Sequence, residues 1–169
     1  MSSVRLRRTS AAAVAVTAMF VLTGCGTGFG AQTNKSYDAA VGSNQRGGEV
    51  DALNALFVDN ADGTATLSVA LLNKDTSAHL LKSVSITAED GTPITSTLTA
   101  PQELSSRTIY SPGKAGDIIM TGSFPAGGFV NITFNFDGVA SLTINAPVVT
   151  RTSIYDTVAK VPAAPKAGA

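Results

Sequence analysis

No stretch of this chain constrains its fold more tightly than Phe129 to Phe136, where Val130, Ile132, Phe134 and Phe136 alternate with Asn131, Thr133 and Asn135. Successive side chains of a β-strand point to opposite faces, so this period of two predicts a strand with one face buried and the other in water. Asp137 and Gly138 then supply a turn into Ala140 to Val149, where Leu142, Ile144 and Ala146 alternate with Ser141, Thr143 and Asn145. The two segments are expected to pair as a hairpin whose apolar face centres the core.

The same grammar repeats upstream. Val50 to Val58 reads as an extended opening strand, Asn60, Asp62 and Gly63 as a turn, and Thr64 to Asn73 as its partner, with Leu67, Val69 and Leu71 on one face. In Leu80 to Ala88, one parity holds Leu80, Lys82, Val84 and Ile86 and the other holds Ser83, Ser85 and Thr87. Asp90 and Gly91 close that strand, and Ile94 to Leu98 follows behind Pro93. A short segment around Ile109 and Tyr110 precedes the turn at Pro112 and Gly113, and Asp117 to Thr121 alternates Ile118 and Met120 with Ile119 and Thr121. Ile154, Tyr155 and Val158 form a last short strand or strap. Seven or eight short strands without an amphipathic helix predict an all-β domain, an antiparallel β-sandwich of immunoglobulin-like or cupredoxin-like type.

Cys25 is the only cysteine, so the domain forms no intramolecular disulfide and is held by its core. Tryptophan is absent, which removes the Cys and Trp hallmarks of antibody-type domains. Lys plus Arg and Asp plus Glu both number 12. Removing Arg5, Arg7 and Arg8 with a cleaved leader leaves nine basic against twelve acidic residues, a mild acidity that argues against a nucleic-acid partner.

That leader is legible at the N-terminus. Arg5, Arg7 and Arg8 form a positive region and Ala11 to Leu22 an apolar one of twelve residues, the pattern of a secretory signal. The apolar run is short of the roughly 20 residues that cross a bilayer as a helix. Arg7 and Arg8 raise a twin-arginine export route, but Thr9 and Ser10 follow where that signal usually has an apolar residue, so general secretion is favoured. The run Leu22, Thr23, Gly24, Cys25 resembles the lipobox of bacterial lipoproteins, in which the cysteine receives a diacylglyceryl group before the signal is cut away. The resemblance implies a covalent lipid on Cys25 and no other cofactor, with at least two acyl chains. One chain binds a membrane only marginally and two hold stably. The expected organisation is a signal over 1–24, a lipidated cysteine and flexible Gly/Ser/Asn-rich tether over 25–48, the strand-rich domain over 49–159, and a Pro/Ala tail over 160–169.

A lipobox, a polar tether and a strand-rich domain ending in Phe129 to Phe136 and then Asn145, Ala146, Pro147, Val148 and Val149 resemble the small lipoproteins of actinobacterial cell envelopes, the LpqE-like group. The resemblance implies a lipid-anchored protein on the outer face of the cytoplasmic membrane. It brings no defined chemistry with it.

Candidate chemistry is sparse. Copper-chaperone sites gather several soft or imidazole ligands. After cleavage only His79 and Met120 remain, since Met1 and Met19 leave with the signal, and two ligands from distant segments make a poor site. His79 reads as a turn residue and Met120 as core. For hydrolysis, His79 is the one histidine base, beside Asp75 and Ser77 in a polar loop, and no Gly-x-Ser-x-Gly elbow is present. The acidic turn Asp59, Asn60, Asp62 lacks the glycine and glutamate spacing of a calcium loop. Asn131, Ile132, Thr133 matches a glycosylation sequon that a polar strand face explains equally well. The expected function is a non-enzymatic, membrane-anchored envelope module binding a protein, a cell-wall polymer or a small apolar ligand. A copper chaperone is the alternative and an envelope hydrolase a second one.

Overall fold

The computed structural model describes residues 40–46, 48–98 and 100–160. The expected signal, the expected lipobox with Cys25, most of the expected tether and the tail beyond Lys160 lie outside the described residues. The described residues form ten strands: β1 (Ser43–Gln45), β2 (Val50–Asp59), β3 (Thr64–Asn73), β4 (His79–Ala88), β5 (Pro93–Leu98), β6 (Gln102–Leu104), β7 (Ile109–Tyr110), β8 (Ile118–Thr121), β9 (Phe129–Phe136) and β10 (Leu142–Thr150). Two 3₁₀ turns, Pro112–Lys114 and Ser153–Tyr155, are the only helical pieces among them. No described helix is long and apolar enough to cross a membrane.

Seven strands close into a ring in the order β2, β10, β9, β4, β5, β8, β3, with β3 pairing back onto β2. Closure satisfies the backbone groups that an open sheet would leave at its edges. The domain is all-β, as its alternation requires. Both expected hairpins are present, β2 with β3 and β9 with β10, the latter in unbroken register from Leu142↔Phe134 to Pro147↔Phe129. All pairings are antiparallel except β2 with β10, which run parallel over Val148↔Phe57 to Thr150↔Asp59. That contact joins the two ends of the domain, and a parallel pair separated by so much chain leaves no turn signal in the sequence.

Three strands lie off the ring: β1 on β2, β6 on β4 and β7 on β3. β1 moves the start of the domain upstream of residue 49, into the expected tether. Its docking depends on a bulge in β2 between Leu53 and Leu56, where Asn54 takes φ 51°, a left-handed conformation that asparagine tolerates. Asn54 Oδ1 accepts from Gly42 N at 2.8 Å, and Asn54 N donates to Asn44 Oδ1 at 2.8 Å. A Cβ on Gly42 would lie 2.5 Å from the Asn54 carbonyl carbon, so only glycine allows this approach.

A second bulge, at Lys82 in β4, corrects the expected facing of that strand. Leu81 rather than Leu80 points inward and is fully buried, and Val84 and Ile86 regain the interior after the extra residue. Adjacent leucines hide such a slip from any reading by parity.

The core is one continuous cluster. Phe57, Leu67, Leu71, Leu81, Ile118, Met120, Ile132 and Phe134 are fully buried. Each such side chain contributes about 1.5–3 kcal/mol by leaving water, which is how the domain holds without a disulfide. The Phe134 and Phe136 rings stack at 6.5 Å.

A smaller cluster lies outside the ring. Leu56 and Val58 face away from the core and are covered by Val158, Tyr155 and Val149. The covering strap, residues 152–160, is clamped by Arg151. Its guanidinium donates to Tyr155 O at 3.0 Å, to Val158 O at 2.8 Å, and closely to Asn60 Oδ1. Asn60 in turn donates through Nδ2 to Thr64 Oγ1 at 2.9 Å and Thr66 Oγ1 at 3.1 Å. The expected last segment around Ile154, Tyr155 and Val158 is therefore a strap, not a strand.

Candidate functional site

His79 opens β4 and is buried, not solvated as a loop histidine would be. The turn that precedes it is organised by Asn73. Its amide donates to Ser77 O at 2.8 Å and Leu104 O at 2.9 Å, and its Oδ1 accepts from Asp75 N at 2.9 Å. This hands Asp75 to His79, with Nε2 and Oδ2 3.2 Å apart. The Asp75 carboxyl sits below the ordinary carboxylate range, chiefly because the Thr76 N–H donates to it. A carboxylate and an imidazole form two thirds of a hydrolytic triad, yet Ser77 contributes its backbone carbonyl to Asn73 and its hydroxyl does not join the pair. The geometry pins a loop.

Met120 is fully buried in the core, opposite Ala65 on β3 and Ser96 on β5. Ser96 Oγ reaches the Val84 carbonyl on β4, which places Met120 level with Val84. His79 stands four rungs further along β4, about 13 Å at the rise of a strand. The two candidate ligands therefore do not converge. Among the described residues no group of three His, Cys, Asp or Glu side chains could hold a metal ion. The acidic turn is likewise self-contained: Asp59 Oδ1 accepts from Ala61 N, and Asp62 Oδ1 from Thr64 N and Oγ1.

Two surfaces stand out among the described residues. An open groove of about 410 Å³ runs between the strap and the outer side of the β2–β3 hairpin, lined in part by Asn54, Ser68, Ser111, Lys114, Thr157 and Val158. Beside it Tyr110 Oη donates to Asp117 Oδ2 at 2.8 Å, and burial together with that carboxylate raises the phenol well above its ordinary range. The second surface is the outer face of β4, β9 and β10. Register sets Thr87 beside Asn131 and Asn145, Ser85 beside Thr133 and Thr143, and Ser83 beside Asn135. Hydrogen bonds lace the rows: Thr133 to Thr143 at 2.9 Å, Asn145 to Asn131 at 3.0 Å, Asn135 to Ser83 at 3.2 Å and Ser141 to Asn135 at 3.1 Å. The sequon Asn131 and Thr133 lies within this face.

The fold resembles that of a PCuAC domain. The apo PCuAC domain from PmoF1 superposes with a TM-score of 0.52 at 12% identity, covering 64% of this chain and all of that domain (100%). The copper-bound PCuAC domain from PmoF2 gives 0.49 at 16% identity over 64% of this chain and 99% of the other. The apo PmoF2 PCuAC domain gives 0.48 at 14%, over 64% and 95%. At these identities the likeness is one of fold, and it places the domain on the cupredoxin-like side of the expected class. No protein-family model matches the chain, and no curated protein matches it in sequence.

Sequence reasoning missed the polar face as a unit. Each strand's alternation announced outward Ser, Thr and Asn, but only the β4–β9 pairing brings Ser83, Ser85 and Thr87 beside them.

Proposed function

We propose that this chain is a non-enzymatic binding module of the bacterial cell envelope, held at the outer face of the cytoplasmic membrane by lipid on Cys25. The observation that supports it best is the use made of His79. The domain's one histidine is committed to Asp75 in a turn and stands about 13 Å from Met120 along the strand direction, which leaves the outer faces of the barrel as the surfaces for recognition. The signal grammar and the run Leu22, Thr23, Gly24, Cys25 support the anchor. The resemblance to LpqE-like envelope lipoproteins agrees with it. Labelled fatty acid is expected to enter the wild-type protein in cells and not Cys25→Ala; a labelled Cys25→Ala protein would overturn the anchor.

Copper delivery is the second reading, and the PCuAC-like fold favours it. Copper(I) is held by soft and imidazole donors, and His79 and Met120, about 13 Å apart along the strand direction, are too distant to share one ion. Titration with Cu(I) distinguishes the readings. Stoichiometric binding that disappears in His79→Ala would replace the binding module with a copper carrier.

A further inference from the structure

We infer that the outer face of β4, β9 and β10 is a docking platform for an uncharged, hydroxyl-rich polymer, a neutral glycan. The inference deepens the binding-module reading and rests on it.

Nine side chains in three rows make the platform: Thr87, Asn131 and Asn145; Ser85, Thr133 and Thr143; Ser83, Asn135 and Ser141. None carries a charge. The charged pair Lys82 and Asp137, 2.7 Å apart, neutralises itself at one end, and the exposed Glu89 follows Thr87 beyond the other. Every residue in the set offers both a donor and an acceptor, which suits a partner whose hydroxyls do the same. Among these nine side chains a protein or lipid headgroup of fixed charge finds no counter-ion. The hydrogen bonds across strands within each row hold rotamers in place before anything binds, which lowers the ordering cost of association.

The other end of the platform is aromatic. Phe129 is 44% exposed, whereas the inward set of β9, Val130, Ile132, Phe134 and Phe136, is buried. It lies on the same outward parity as Asn131 and Thr133, opposite Pro147 on β10. A ring with an electron-rich face, next to hydrogen-bonding rows, is a stacking surface for the polarised C–H groups of a sugar.

Size argues in the same direction. Phe129 to Asn135 spans about 20 Å and the three strands about 10 Å, or roughly 200 Å² of outer surface. A stable protein interface needs about 800 Å² on each partner. A chain polymer needs only a strip.

The test uses the full lipid-modified chain in detergent micelles, sedimented with amorphous cellulose, chitin or mannan. Wild type is expected to be retained by at least one of them, with retention unchanged at high salt because no ion pair forms. Phe129→Ala and Thr133→Lys are each expected to weaken retention about tenfold, as loss of an aromatic anchor or entry of an unpaired charge does. Phe129→Tyr should retain. Circular dichroism and the melting temperature establish that each variant is folded, and both sites are outward. No retention on any of the three polymers, retention equal in the folded variants, or retention abolished by salt would each overturn the platform. The fatty-acid labelling of Cys25 reports separately on the anchored module, so the two readings fail apart.

Discussion

The β9–β10 wall and the β2–β3 wall of the barrel are built from similar strands and treat their outer sides in opposite ways. In β9 the alternation is strict, the register with β10 has no slip, and the outward Asn131, Thr133 and Asn135 are left on the surface. In β2 the run Leu56, Phe57, Val58 is apolar at three consecutive positions and all three are buried. Phe57 faces the core, while Leu56 and Val58 face outward under the strap. A strand with one apolar face needs one covering layer, and a strand with two needs another. The strap supplies it, and Arg151 holds the strap.

Leu56→Ala is expected to produce the largest contrast. Although the Leu56 side chain faces away from the barrel core, its truncation should cost about 2–5 kcal/mol, the range for a buried leucine. Thr133→Ala on the other wall should stay within about 0.5 kcal/mol. Equal shifts in denaturant midpoint would erase the distinction between the walls.

Arg151→Met should cost about 2–3 kcal/mol, because Asn60 and two strap carbonyls lose a charged donor. Arg151→Lys should not restore it, since an ammonium cannot reproduce the guanidinium fork. Hydrogen exchange would sharpen the result: Val158 N–H, bonded to Tyr155 O at 2.9 Å, should lose protection while the amides of β9 keep theirs.

Gly42→Ala tests the docking of β1. The added methyl meets the Asn54 backbone and should cost about 1–3 kcal/mol or release β1 from β2. Faster exchange confined to residues 43–45 is the expected signature.

The smallest effect is in acid. Asp62, in the turn between β2 and β3, and Asp90, between β4 and β5, both sit below their ordinary value of 3.8. The Thr64 hydroxyl is the chief cause for Asp62, and the Thr92 N–H for Asp90. A carboxyl that is more acidic folded than unfolded stabilises the fold above its unfolded value, and this contribution fades as pH falls through the folded one. Asp62→Ala and Asp90→Ala should each flatten the melting temperature's decline below about pH 4. Both turns are exposed, so the β2–β3 turn and the β4–β5 turn should respond alike.

How much could be read from the chain differs with the range of the interaction. The two hairpins were legible because strand, turn and strand are contiguous at Asp59 to Thr64 and Phe136 to Leu142. Leu81 was misplaced by parity because the bulge at Lys82 is set by β9, not by the local pattern. β6 went unread, since three residues with one buried leucine, Leu104, make no period. For the candidate site, His79 and Asp75 were seen as neighbours. The burial of His79 was not, because it depends on Asn73 binding the β6 carbonyl of Leu104.

By itself, the sequence determined the all-β class, the inward set of β9 and β10, the absence of a disulfide and the scarcity of ligating side chains, all consequences of residue type and a period of two. Only the tertiary structure decided that the ring closes through a parallel β2–β10 contact, that His79 and Met120 stand apart, and that outward Ser, Thr and Asn from three strands form one surface. The physical reason is that these depend on which strands become neighbours. Neighbours are chosen by burial of the whole core, and a local pattern fixes a face without naming its partner.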